Sequence, residues 1–367
     1  MRVAICGGGT GGHLHPLLAV AEELASLEGT EVTLYLNRKS PAAAAMPRCR
    51  VVVLRVSGFA RSLRWRNVRA ARELAGALLE CRRDMRRARP QVALAFGGYA
   101  SLPGALAALS LRVPLVIHEQ NVIPGLANRL LAPLARVITV SFAETLAARP
   151  RWRGKAVVTG NPLLRRGDGG GEEDPYRHFG LEEGRKTLAV VGGSQGAASL
   201  NRAVLEALPA WKDREDLQVL HAVGRDKYQD FMAEVAKVDY GGLIYRPLAF
   251  VERMDLLYRV ADLVVCRAGA STVAELAEAG RGAILVPYPH ATASHQDANA
   301  EVLRRCGAAV VVPDGELDGG RLREEVERLL GEEGRLREMG EAARREARPL
   351  AASHVAETAL ALVGEGR

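Results

Sequence analysis

Two apolar strands that each run straight into a glycine turn constrain this chain more than anything else in it. The first is Val3-Ala4-Ile5-Cys6, followed by Gly7-Gly8-Gly9-Thr10-Gly11-Gly12-His13. The second, about half a chain later, is Thr187-Leu188-Ala189-Val190-Val191, followed by Gly192-Gly193-Ser194-Gln195-Gly196-Ala197. Glycine lets a backbone approach a ligand closely, and the helix after such a turn offers unpaired N–H groups and the positive end of its dipole. Two such units imply two nucleotide-type half-sites facing one cleft.

The remaining residues repeat the alternation. Strands are predicted at Arg2–Cys6, Val32–Leu36, Val51–Arg55, Gln91–Phe96, Leu115–His118, Val137–Val140 and Ala156–Thr159, with helices such as Leu17–Leu27 and Arg69–Arg87 between them. The pattern restarts at Thr187–Val191, Gln218–Ala222, Gly242–Tyr245, Leu263–Cys266, Ala283–Val286 and Ala309–Val312. Such alternation predicts α/β architecture, with parallel sheets covered by helices. A chain of 367 residues exceeds what one core usually serves. The break falls between Asn161 and Pro175, where Arg166-Gly167-Asp168-Gly169-Gly170-Gly171 reads as a hinge. The expected domains are residues 1–163 and 164–344, with the last helix (345–367, core Leu350–Val363) packing back on the first.

Composition narrows the classes. Five scattered cysteines (Cys6, Cys49, Cys81, Cys266 and Cys306) without a CxxC pair argue for a reducing compartment and against a disulfide frame or zinc site. No secretory signal is visible. Val92–Leu111 is uncharged and long enough to span a bilayer, but Gly97-Gly98, Pro103 and Gly104 break it into strand, loop and buried helix. The net charge of +7 is uneven. Residues 61–90 hold ten arginines against three acids, a surplus equal to that of the whole chain. Such a patch suits an anionic partner or is simply a solvated helix face.

Several segments can carry chemistry. Gly7, Gly9 and Gly12 satisfy GxGxxG after a strand, but the second strand ends in Asn37-Arg38-Lys39, with no acid to hold a ribose, so NAD is disfavoured. His13 stands at a helix start, where an imidazole can serve as a base or simply bond locally. Ser194 can hold a phosphate or cap a helix. Cys266–Glu275 forms a third strand–glycine–helix unit, in which Glu275 can grip ribose hydroxyls or close a capping box with Thr272. His118-Glu119-Gln120-Asn121 places four polar residues at the C-terminal end of a strand, where α/β sheets hold ligands. His290–Asn299 is dense in the donors and acceptors that sugars need. The thirteen aspartates never occur as Asp-x-Asp, so the usual metal–diphosphate signal is missing.

Together these segments resemble, over nearly the full length, the MurG family of N-acetylglucosaminyltransferases. The matching motifs are Gly8–His13, Phe96-Gly97-Gly98-Tyr99, His118–Asn121, Thr159-Gly160-Asn161-Pro162, Gly192–Ala197 and Cys266–Glu275, in order. The resemblance implies a GT-B type fold of two Rossmann-like domains and a donor, UDP-N-acetylglucosamine, held by the C-terminal half. It implies that Ser194 touches the diphosphate, Glu275 the ribose and Val251 the uracil, and that Ala270, Ser271, Thr272, Val273, Ala274 and Glu275 form the helix start over the nucleotide. Gln296, Asn299 and Asn121 would meet the sugar. Thr10, Gly11 and Gly12 would close over the donor and shape the acceptor pocket. Where the family usually has an arginine two residues after Asn-Pro, this chain has Leu164, and the resemblance implies that Arg165, next in line, would take the diphosphate contact. The family's Gln-Gln is His295-Gln296 here.

The implied reaction is an inverting displacement that needs no metal and no cofactor. The acceptor would be undecaprenyl-linked N-acetylmuramoyl-pentapeptide, deprotonated at its C4 hydroxyl by His13, with Glu119 as the rival base. The lipid acceptor gives the basic segment a purpose: a peripheral seat on the anionic, cytoplasmic face of the cell membrane, with Trp65 and the arginines toward lipid and Leu74, Leu78, Cys81 and Met85 inward. Nucleic acid is not an expected partner. A UDP-N-acetylglucosamine 2-epimerase, a non-catalytic nucleotide-sugar-binding subunit and an NADP oxidoreductase are the alternatives.

Overall fold

The computed structural model describes residues 1–8, 11–38, 46–58, 65–164, 173–193, 195–332 and 334–364. Within it the chain forms two compact units: Met1–Arg166 with Arg348–Arg367, and Gly167–Ala347.

In the first unit, seven strands form one sheet: β1 (Arg2–Gly7), β2 (Glu31–Asn37), β3 (Arg50–Leu54), β4 (Val92–Ala95), β5 (Leu115–Glu119), β6 (Val137–Val140) and β7 (Ala156–Val158). The order is β3-β2-β1-β4-β5-β6-β7, and every pairing is parallel. The connecting helices are α1 (Gly11–Ser26), α2 (Trp65–Ala88), α3 (Leu102–Ser110), α4 (Leu126–Leu131) and α5 (Glu144–Ala148). One face of the sheet packs on Cys81 and Met85 of α2 and Ala105, Ala107 and Ala108 of α3. The other packs on Leu14, Leu17 and Leu24 of α1. Strands buried on both faces read as continuous apolar runs, which is why the sequence reveals them.

The second unit repeats the plan. Its strands are β8 (Lys186–Val191), β9 (Leu217–Ala222), β10 (Ile244–Leu248), β11 (Leu263–Cys266), β12 (Gly282–Leu285) and β13 (Ala309–Val311). They are ordered β10-β9-β8-β11-β12-β13, again parallel throughout. Its helices are α6 (Pro175–Phe179), α7 (Ala198–Ala207), α8 (Tyr228–Val235), α9 (Met254–Val260), α10 (Ala270–Ala279), α11 (His295–Arg305), α12 (Gly319–Gly331) and α13 (Arg335–Glu346). The chain then returns to the first unit as α14 (Ala351–Gly364), whose Val355, Ala356 and Ala359 join the α1 core. Ser353 Oγ donates to Glu23 Oε1 of α1 at 2.9 Å.

Each sheet therefore reverses its winding beside its first strand, between β1 and β4 and between β8 and β11. Ligands of open α/β sheets bind outside the strand C-termini at that reversal. The glycine turns follow these four strands.

Two expectations need correction, and a third, the inward stripe of α2, gains further residues. Helix α1 starts at Gly11, six residues before the expected Leu17, and carries Pro16 inside it. A proline there removes one hydrogen bond, to the Gly12 carbonyl, and the buried Leu14 and Leu17 outweigh that loss. The helix after β8 starts at Ala198 with Ala197 as its N-cap, so it begins beyond Ser194. On α2 the inward stripe is Ala70, Ala77, Cys81 and Met85, with Leu74 and Leu78 partly buried beside it, while Val68 and Leu79 face solvent. The backbone of Trp65 opens α2, but its side chain lies outside the described residues.

Candidate functional site

In the first unit the site grows from the C-terminal ends of β1, β4 and β5. After β4 comes Phe96-Gly97-Gly98-Tyr99. Gly98 has φ +68°, a conformation that side-chain-bearing residues rarely adopt. A Cβ there would lie 3.4 Å from His13 Cδ2 and 3.6 Å from the Gly8 carbonyl oxygen. The left-handed backbone is what favours glycine here, and the turn lies beside the imidazole. The expected fingerprint acid is replaced by Asn37, which is buried and donates to the Val56 carbonyl and the Tyr99 hydroxyl, both at 3.1 Å. The position that would hold a ribose in a dinucleotide fold here ties β2 to the glycine turn.

The four polar residues after β5 divide their work. His118 is buried against Thr139 Oγ1 at 2.9 Å, and burial pushes its imidazole down to about 3, so it stays neutral. Glu119 is 1% exposed. Its Oε1 accepts from the Asn121 backbone N–H at 2.9 Å and from Asn121 Nδ2 at 3.4 Å. Its Oε2 accepts from the Gly125 N–H at 3.0 Å and from Asn128 Nδ2 at 2.9 Å. With these four donors Glu119 ties together the loop of residues 120–128. Gln120, also buried, donates from Nε2 to the Phe96 carbonyl at 3.0 Å, and its Oε1 lies 2.9 Å from His13 Nδ1. Gly11 and Gly12 open α1 and are exposed; His13 is half-buried. Thr10 lies outside the described residues.

In the second unit, five strand ends contribute. Gly196 has φ +68°, and a Cβ there would fall 1.9 Å from the Val223 carbonyl oxygen, so the turn after β8 lies flat on the end of β9. Lys227 Nζ donates to the Gln195 carbonyl at 2.6 Å and fastens that turn from the side. Val251 is buried, and beside it the Arg225 guanidinium sits 4.4 Å over the Phe250 ring. Ser194 and Arg165 lie outside the described residues.

After β11, helix α10 has Gly269 as its N-cap and no side-chain cap. Thr272 and Glu275 are its third and sixth residues, so the expected capping box does not form. Glu275 instead accepts from the Tyr258 hydroxyl at 2.9 Å. Burial raises its carboxyl to about 7, against the lowering effect of that hydrogen bond. Ala270 and Val273 of α10 are buried; Ser271, Thr272, Ala274 and Glu275 are half-buried. On α11, Gln296 is half-buried and its Oε1 accepts from the Tyr288 N–H at 2.9 Å. Asn299 is wholly buried and donates to the Ala268 carbonyl at 3.2 Å.

Sequence reasoning missed two partners here. Tyr258 comes seventeen residues before Glu275, and only the packing of α9 on α10 unites them. Arg267 was visible in its motif, but its role was not. It donates to Asp314 Oδ1 at 2.5 Å, to Ser199 Oγ at 2.9 Å and to the Val286 carbonyl at 3.1 Å, binding the start of α7 to the ends of β11 and β12. Among the described residues, no cluster of three or more His, Cys, Asp or Glu could hold a metal.

Comparison with known proteins matches both halves. Residues 3–140 fit the glycosyltransferase family 28 N-terminal domain, and residues 187–355 its C-terminal domain. A Moorella thermoacetica UDP-N-acetylglucosamine–N-acetylmuramyl-(pentapeptide) pyrophosphoryl-undecaprenol N-acetylglucosamine transferase is 39% identical and covered end to end, as is this chain. The crystal structure of Acinetobacter baumannii MurG superposes with a TM-score of 0.76 at 31% identity, over 98% of this chain and 99% of that one. A Neisseria meningitidis UDP-GlcNAc 2-epimerase bound to UDP-GlcNAc superposes at 0.68 with 13% identity, over 98% and 100% of the two chains, a likeness of fold alone.

Proposed function

The chain belongs to glycosyltransferase family 28, in its MurG branch, and on that premise we propose that it moves N-acetylglucosamine from UDP-N-acetylglucosamine to the C4 hydroxyl of undecaprenyl-pyrophosphoryl-N-acetylmuramoyl-pentapeptide. The product is the lipid-linked disaccharide from which peptidoglycan is built. The observation that carries this reading is the end-to-end match to a transferase at 39% identity, against fold-only likeness to an epimerase at 13%.

The chemistry is an in-line displacement at the anomeric carbon. His13 takes the proton of the acceptor hydroxyl as the C–O bond forms and the bond to UDP breaks. The leaving diphosphate gathers negative charge, which the start of α10, uncapped by any side chain, and the turn of residues 192–197 are suited to receive. Ser194 and Arg165 are the side chains proposed beside the diphosphate. Glu275, steadied by Tyr258, accepts from the ribose hydroxyls, and the backbone at Val251 meets the uracil. Gln296 and Asn121 face the sugar; Asn299, given its burial, supports the Ala268 turn beneath it. Thr10, Gly11 and Gly12 border the acceptor.

An acceptor with a polyprenyl tail requires a membrane seat, on the cytoplasmic side where nucleotide sugars are found. Among the described residues, no helix is long and apolar enough to cross a bilayer. Arg72, Arg83, Arg86 and Arg87 lie exposed along α2 with Val68 and Leu79, a basic and apolar surface suited to anionic lipid.

The decisive experiment is single-turnover transfer of radiolabelled N-acetylglucosamine to a short-chain lipid-linked muramoyl-pentapeptide, with EDTA present. Formation of the disaccharide is expected. Tight UDP binding without transfer, accompanied by 2-epimer formation, would overturn the proposal.

A further inference from the structure

A general base must offer an electron pair, and an imidazole offers it from whichever nitrogen lacks the proton. The contacts around His13 settle which nitrogen that is. The Phe96 carbonyl can only accept a hydrogen bond, so the Gln120 atom 3.0 Å from it is the amide nitrogen. The other end of the same amide, Oε1, therefore points to His13 Nδ1 at 2.9 Å. That oxygen carries no proton, so Nδ1 must donate. The ring proton sits on Nδ1, and Nε2 keeps its lone pair.

We propose that Gln120 is a positioning residue that fixes His13 as the Nδ1–H tautomer, leaving Nε2 as the basic atom. This rests on the reading of His13 as the base. The anchor is stiff at both ends. Gln120 is 1% exposed, directly after β5, and its acceptor is the backbone of Phe96, directly after β4, in the adjacent strand. The neighbouring turn lies beside the ring: residue 98 is glycine for its left-handed backbone (φ +68°), and a Cβ there would make van der Waals contact with Cδ2 at 3.4 Å and Nε2 at 3.7 Å. Gln120 thus does with a neutral amide what a buried carboxylate does behind the histidine of a catalytic triad, orienting the ring and selecting its tautomer.

The test is heteronuclear NMR of the full chain labelled with 15N-histidine, above the pH at which imidazoles titrate. The His13 signals are identified by their loss in His13→Ala. A protonated-type Nδ1 and a lone-pair-type Nε2 are expected; the reverse pattern overturns the proposal without any Gln120 variant needing to fold. In Gln120→Leu the signals should move toward the Nε2–H form. Turnover should then fall roughly 10- to 100-fold, by analogy with the loss of a partner that orients a metal-ligating imidazole, while KM for the sugar nucleotide holds. Gln120→Glu keeps an acceptor at Nδ1 and should keep the tautomer. Undiminished turnover in Gln120→Leu with an altered tautomer would overturn the positioning role. Undiminished turnover in His13→Ala would remove the base itself, and Gln120's catalytic role with it, while the tautomer assignment stood.

Discussion

Replacing Glu119 with Gln separates a scaffold from a base in one variant. The wild-type carboxylate accepts two donors on each oxygen, and each pair includes a backbone N–H: Asn121 on one side and Gly125 on the other. A glutamine presents one carbonyl oxygen and one NH2 group. Whichever way the amide turns, its NH2 faces a backbone N–H that cannot rotate away. One part-buried backbone donor then lacks a protein partner, as does one amide hydrogen. Both bonds are only part-buried, so each unsatisfied group costs the lower part of the usual range, about 1–2 kcal/mol, and the loop should lose about 2–4 kcal/mol of local stability. Since each 1.36 kcal/mol is tenfold, the Asn121 and Gly125 amides should exchange with deuterium roughly 30- to 1,000-fold faster. Hydrogen exchange read by mass spectrometry over peptides spanning residues 118–130 measures this, with the second unit as internal control. A scaffold role requires that turnover and protection fall together. If Glu119→Gln lost turnover with loop protection unchanged, Glu119 would be the base after all and the reasoning would fail.

The Glu275 carboxyl stands at about 7 folded against 4.5 ordinarily, so between those values the folded chain holds a proton that the unfolded chain has lost. Its contribution to stability is therefore full below about 4.5 and declines as pH rises to about 7; the thermal midpoint should fall over that window, and less steeply in Glu275→Gln. Gly196→Ala sets a methyl against the Val223 carbonyl in a left-handed backbone, so it should abolish UDP binding by calorimetry while leaving the first unit's exchange pattern intact. Co-sedimentation with vesicles rich in anionic lipid should weaken as salt rises and drop further in Leu79→Asp; salt-independent binding would count against the α2 surface.

The fold was legible because parallel strands covered on both faces must be apolar throughout, and each was punctuated by glycine or a polar cluster. Strand ends drifted by a residue or two, as at Gln91–Phe96 against Val92–Ala95. Helix starts were harder to read. Thr272-x-x-Glu275 has the pattern of a capping box, yet Gly269 caps the helix, because β11 ends at Cys266 and the turn between them is short. Local pattern lost there to strand register. The candidate site was legible as motifs but not as roles. Nothing in the order His-Glu-Gln-Asn says which side chain turns back to hold its own loop and which turns across to another strand. Those directions follow from alternation along β5 and from what β1, β4 and α4 place opposite each residue. The Tyr258–Glu275 pair left no sequence signal, since its partners meet only through two packed helices.

The two units share a sheet plan, but different groups stand just past their strands. Both sheets reverse beside their first strand, and both place a glycine turn there. In the first unit, buried side chains surround that turn: His118, Glu119, Gln120 and Asn128 bond to one another's loops and leave one half-buried imidazole beside them. Such a network is rigid, and rigidity is what a base needs to meet one hydroxyl in one direction. In the second unit the start of α10 carries no side-chain cap and offers its backbone N–H groups. Backbone N–H groups suit a diphosphate, whose charge is spread and whose oxygens rotate. Proton transfer demands a fixed side chain and leaving-group stabilisation demands oriented dipoles. A duplicated fold can supply both because strand order sets where the ligand lies, while the residues just past each strand set what is done to it.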